Sequence, residues 1–132
     1  MEILIKSIMI KPGVYCSVTK QEVEEMHGGV KLKSFFHHHI CFYNEEKLVG
    51  FYGGSQFWLK PFLDRDFRYS GEITRADGDQ IDFYINDPAH NDKFLFTGTH
   101  HDKQLELVGR RASKPEDIWL EDAFEFIGTG EI

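Results

Sequence analysis

The chain predicts a mainly β fold: a curved antiparallel meander closing into a small barrel, with one or two short helices. Three observations carry that expectation. From Phe67 to Arg111 two hairpin-like units follow one another, each with apolar residues on every second position around a polar turn, which is the period of a strand with one buried face. Twelve phenylalanines, five tyrosines and twelve glycines stand against only four prolines, a composition that favours strands joined by tight turns over a helical bundle. Gly71, Gly98 and Gly109 fall where the apolar stripe calls for a side chain, as in strands that bend sharply to close a barrel.

The elements follow in order. Ile3 to Ile10 reads as an opening strand, and Pro12-Gly13 turns the chain into a second, Val14 to Val18. Thr19-Lys20-Gln21-Glu22 has the spacing of a capping box, in which hydroxyl and carboxylate satisfy the first turn of a helix. With Val23 and Met26 as its apolar edge and Gly28-Gly29 as its end, one short helix is expected there. Val30 to Tyr43 is rich in β-formers: Leu32, Phe36, His38, Ile40 and Phe42 share one face, and Phe35, His37, His39, Cys41 and Tyr43 the other. Aromatics on both faces imply burial on both sides. Asn44 to Lys47 is a polar turn, and Leu48 to Tyr52 the return strand.

Gly53-Gly54 breaks the ladder, and Ser55 to Asp66 reads as an aromatic-bearing loop or short helix laid over the sheet. In the next hairpin Phe67, Tyr69, Gly71 and Ile73 face the same way as Ile81, Phe83 and Ile85, with Asp77-Gly78 as a two-residue turn of type I′. Phe94, Phe96 and Gly98 then alternate up to a turn at His100 to Lys103, and Leu105, Leu107 and Gly109 return. The C-terminal part fits two readings. Ser113-Lys114-Pro115-Glu116 has a second capping-box spacing ahead of a helical stripe, while Ile118, Leu120, Phe124 and Phe126 alternate as a closing strand broken by Asp122. A helical turn followed by a strand reconciles them.

With 132 residues, 41% of them hydrophobic, the chain fits a single domain spanning 1–132. Its formal charge of −7 disfavours nucleic acid, whose affinity rests on Lys and Arg, and it has no apolar run of the ~18 residues that a membrane-spanning helix needs. The N-terminus lacks the pattern of a secretory signal, and Cys16 and Cys41 lie in apparent strands as small hydrophobes. The expectation is a cytoplasmic protein that contacts neither nucleic acid nor membrane. An exposed edge strand would allow a homodimer.

The segments Tyr69-Ser70-Gly71-Glu72-Ile73 and Asp77-Gly78-Asp79-Gln80-Ile81-Asp82-Phe83, then Phe96-Thr97-Gly98-Thr99 with Leu105-Glu106-Leu107, resemble the hairpins of the small lipocalin-like barrels of the calycin group. The resemblance covers roughly Leu48 to Arg111. It implies a barrel enclosing a small apolar ligand, although some members of the group are lyases, isomerases or haem binders. At the place of that group's Gly-x-Trp this chain has Gly13-Val14-Tyr15.

The first expectation for function is therefore non-enzymatic binding of a small, partly apolar ligand, without a cofactor. The ligand-binding residues would be Phe67, Tyr69, Ile73, Phe83, Phe94, Phe96 and Leu107, with Trp58 at the mouth. A second is an acidic protein–protein interaction module of inhibitor or immunity type, anchored by Trp58 or Trp119. A third is a metal-dependent barrel enzyme. His37 and His39, two apart on a strand, project side by side and could hold one ion, with Glu45 or Glu46 the nearest carboxylates. His90, His100 and His101 fall in apparent turns. Arg68 and Arg110 alternate to the outside. No nucleophile motif, P-loop or dinucleotide fingerprint occurs, so nucleophilic catalysis has no visible apparatus.

Overall fold

The computed structural model describes residues 10–43, 48–55 and 69–128. The strands are β1 (Gly13–Ser17), β2 (Gln21–His27), β3 (Val30–Phe42), β4 (Leu48–Ser55), β5 (Tyr69–Asp77), β6 (Gln80–Asp87), β7 (Asp92–His101), β8 (Gln104–Arg111) and β9 (Leu120–Gly128). They form one antiparallel sheet in the order β1-β9-β8-β7-β6-β5-β4-β3-β2. β1 also pairs with β3, Tyr15 opposite Ile40, and so closes eight strands into a barrel. The long β3 makes this possible by serving two neighbours on one edge: residues Val30–Phe36 pair with β2, and His39–Phe42 with β1.

Alternation places Tyr15, Ile40, Phe42, Phe51, Phe83, Phe96, Leu107 and Phe124 in one buried cluster inside the barrel. Phe83 and Phe96 stack at 4.9 Å, Phe42 meets Phe83 edge-on at 5.6 Å, and Tyr15 meets Phe42 in the same way. The outer positions of β5 to β9 are mostly polar and exposed, including Glu72, Glu106, Glu121 and Glu125. Around β3 and β1 the outer face is buried as well, with Val14, His39 and Cys41 fully covered. The two-sided burial expected of Val30 to Tyr43 is therefore present from His39 to Phe42, whereas Val30 and Phe35, in the half that pairs with β2, are exposed.

Two glycines set the curvature. A Cβ on Gly71 would overlap the carbonyl oxygen of Tyr84, and one on Gly98 that of Glu106. The bent strands approach so closely there that no side chain fits on the inner face.

The helix expected after Thr19 is instead β2. A single capping box contributes about 1 kcal/mol, whereas Gln21–His27 gains a continuous ladder against β3. The hairpin turns on Gly28-Gly29, both at positive φ (59° and 85°), as a type I′ turn requires. Its Glu22–Lys33 and Glu24–Lys31 diagonals, at 3.2 and 4.0 Å, pair opposite charges across the two strands.

The C-terminal helical stripe is likewise absent. Successive turns run from Ala112 to Ile118, and β9 follows without interruption at Asp122. Among the described residues the only helical element is a 3-10 turn, Pro88–His90. The β5–β6 loop is Gly78-Asp79, one residue later than expected, and only Gly78 of the pair has positive φ, the arrangement of a type II′ turn. His100 is not in a turn but in β7, facing inward. The opening strand at Ile3 and the aromatic loop from Ser55 fall, apart from Ile10 and Ser55, outside the described residues.

Candidate binding site at the barrel mouth

One end of the barrel gathers the last residue of β1, the inner face of β3 around His38, and the start of β9. Ser17 organises it. Its hydroxyl donates to the Thr19 carbonyl at 3.0 Å and accepts the His38 backbone N–H at 3.0 Å. Asp122 faces inward beside it, because β9 continues the alternation of Phe124 and Leu120. Its carboxylate accepts from the Thr19 backbone N–H and hydroxyl, both at 3.2 Å, and from the Ala123 N–H at 2.8 Å. The β1–β2 turn is thereby tied to β9 across the opening.

His38 projects into this end among aromatic rings. Phe36 lies edge-on to it at 5.3 Å, Phe51 is at 5.6 Å and Trp119 at 5.8 Å. Burial lowers the His38 pKa, the Asp122 charge works against that shift, and His37 adds to it. The net direction is downward, so the imidazole is neutral at pH 7, and no hydrogen bond reaches either ring nitrogen from the described residues. Trp119 packs on Phe94 at 4.2 Å and also reaches Phe51, forming part of a lid on the core while staying 39% exposed. A recess of about 200 Å³ opens here, lined by Thr19, Gln21, Phe36, His38, Leu120 and Asp122, with Lys20 and Glu121 at its rim.

A charge network centred on the buried Asp87 occupies the same end of the barrel. Asp87, at the inner end of β6, accepts from His90 Nδ1 at 2.9 Å and from Arg111 at 3.1 Å, and the Arg111 guanidinium covers the Phe94 ring at 4.4 Å. Arg111 also approaches Asp92 at 3.5 Å, which Ser113 Oγ holds at 2.6 Å. Burial pushes the Asp87 pKa up, but the His90 and Arg111 hydrogen bonds outweigh it and hold the carboxylate below its ordinary range. Ser113 does most of the same for Asp92. These groups satisfy one another, which marks a structural clamp.

The expected ligand-binding residues divide. Phe83, Phe94, Phe96 and Leu107 are buried on the inner wall, with Tyr69 and Ile73 packed against them. Phe83 stacks on Phe96 and Phe94 packs on Trp119, and none of the six lines the recess. Phe67 and Trp58 lie outside the described residues. Arg110 does face outward, donating to the Pro115 carbonyl at 3.0 Å.

His37 and His39 sit side by side as expected, with ring centroids 5.9 Å apart, but on the outer wall. Each Nδ1 is engaged by a backbone carbonyl, of Ser17 at 2.8 Å and of Tyr52 at 3.3 Å. Glu45 and Glu46 are outside the described residues, and among those described no three His, Cys, Asp or Glu side chains converge as a metal site. Burial pushes the Cys41 thiol up to about 12, so it is no nucleophile.

Sequence reasoning put His38 on the face of Ile40 and Phe42 but gave it no role, and it did not identify Asp122 and Arg111 as inward polar groups. For Asp122 the signal was present: it occupies an apolar-face position in the Ile118–Phe126 alternation. No family model, curated protein or solved structure matches this chain, and among the described residues no helix is long and apolar enough to cross a membrane.

Proposed function

We propose that this protein is a non-enzymatic, lipocalin-like barrel that binds a small, partly apolar ligand at its mouth rather than deep in its core. One observation carries the reading: a recess at the barrel end, lined by Phe36 and Leu120 beside Thr19, Gln21 and Asp122, into which His38 projects without a hydrogen-bond partner from the described residues. Small-molecule sites combine apolar contact surface with convergent polar groups that fix orientation. At 200 Å³ the recess holds a compact molecule, on the order of seven water volumes. Deeper in the barrel the Phe83–Phe96 stack and the Phe94–Trp119 pair fill the interior. A lipocalin-like kinship agrees with the closed eight-stranded meander.

Native mass spectrometry of protein purified from its own host tests this. The expected spectrum contains a small-molecule adduct that is lost in His38→Ala. A spectrum of bare protein, with no adduct under gentle ionisation, would overturn the reading.

A second reading rests on Ile118 and Trp119, exposed side by side next to Glu116 and Asp117. An exposed aromatic anchor in acidic surroundings suits a basic protein partner. The same spectra register it as a protein-sized mass.

A further inference from the structure

The chemistry of the recess narrows the ligand further, on the basis of the binding site proposed above. Asp122 is half-buried, accepts only from neutral donors, and has no ion pair among the described residues. Elsewhere at this end of the barrel the buried carboxylate Asp87 has recruited an arginine. The Asp122 charge is left to the recess. Beside it stand the rings of Phe36 and His38, with Trp119 behind His38. The cation that borders the recess, Lys20, directs its ammonium onto the Phe35 ring on the outer wall, 4.4 Å from the centroid. A second carboxylate, Glu121, stands at the rim.

A ligand entering this space meets ring faces and edges, an unneutralised carboxylate and an uncharged imidazole. We infer that the recess selects a small organic cation, an amine or alkylated ammonium, held by the Phe36 and His38 rings and by the Asp122 carboxylate, with Trp119 backing the His38 ring. Aromatic faces attract such cations through the ring quadrupole, most strongly when water is displaced. A carboxylate ligand would meet repulsion from Asp122 and Glu121, and a neutral one would leave Asp122 with its charge unanswered.

The test uses three probes of nearly one shape: choline, its neutral carbon isostere 3,3-dimethyl-1-butanol, and the anion 3,3-dimethylbutanoate. Each is titrated into the full chain while the His38 ring and Trp119 indole NMR signals are followed. The expected result is choline binding at least about tenfold tighter than the alcohol, with no shift from the anion. Asp122→Asn, which keeps an acceptor for Thr19, should erase the difference between choline and the alcohol. Trp119→Leu should weaken choline while leaving the backbone spectrum folded. Equal or tighter binding of the alcohol or the anion would overturn the cation assignment while leaving the recess a ligand site. Silence from all three probes would also overturn the cation assignment; the site itself falls only if the host-purified protein carries no adduct.

Discussion

Three consecutive histidines on β3 do three different things, because a strand turns successive side chains to opposite faces and each meets a different environment. His37 pins β1 through the Ser17 carbonyl, His38 faces the mouth, and His39 is fully buried on the outer wall with no hydrogen-bond partner for its Nε2 among the described residues. Burial pushes the His39 pKa down to about 4. A folded value below the ordinary one of ~6.5 means that the unfolded chain takes up the proton first. The stability involved is complete above pH 6.5 and drains away as the pH falls toward 4. Between pH 7.5 and 5 the loss from His39 amounts to about 2 kcal/mol. Denaturant melts at the two pH values should show that loss, and His39→Gln should shrink it; an unchanged difference would contradict a buried neutral imidazole. Asp87 and Asp92 act at lower pH, since their depressed values keep their contribution intact until the medium falls below the ordinary aspartate range.

At the scale of the strand, pinched glycines rather than turn residues govern shape. β7 and β8 cross so closely at Gly98 that a methyl group would strike the Glu106 carbonyl, and β5 and β6 do the same at Gly71. Backbone cannot swing aside as the end of a long side chain can. Gly98→Ala should therefore destabilise the fold by about 2 kcal/mol or more, against the slight gain that the same change brings where a strand has room. Equilibrium denaturation decides it, and a variant as stable as the parent would show that the strands do not meet this tightly in solution. The β2–β3 arm makes the opposite point. Local capping signals favoured a helix, yet cross-strand pairing and a Gly-Gly turn won, since a ladder adds contacts along seven residues and a cap satisfies only one turn.

Closure gives the molecule two regions of unequal stability. β6, β7 and β8 each pair on both sides, whereas β2 pairs only with β3 among the described residues and its hairpin exposes Met26, Val30 and Phe35. Hydrogen exchange should follow that division, with β2 amides exchanging well before those of β6 to β8. Uniform protection across the sheet would mean that the arm is covered in solution. The mouth lies beside this less supported region, at the junction where β3 passes from β2 to β1. The Thr19–Asp122 contacts therefore connect the arm's base to the barrel's last strand.

Much of this was legible in the chain itself. Period-two alternation identified the meander from β3 to β8 and the apolar residues of β5 to β8 that face inward, because the side-chain period of a strand is a local property. Gly71 and Gly98 announced the bends for the same reason. The sequence also marked His37 and His39 as neighbours. What it could not contain is any fact that depends on residues far apart along the chain meeting in space. That β1 closes the ring against both β3 and β9, that Asp122 anchors Thr19 across 103 positions, and that Arg111 turns inward onto Asp87 all follow from the barrel's stagger. The recess between Phe36, His38 and Asp122 exists only because closure brings the middle of β3 beside the start of β9, and so the chemistry of the mouth belongs to the tertiary structure.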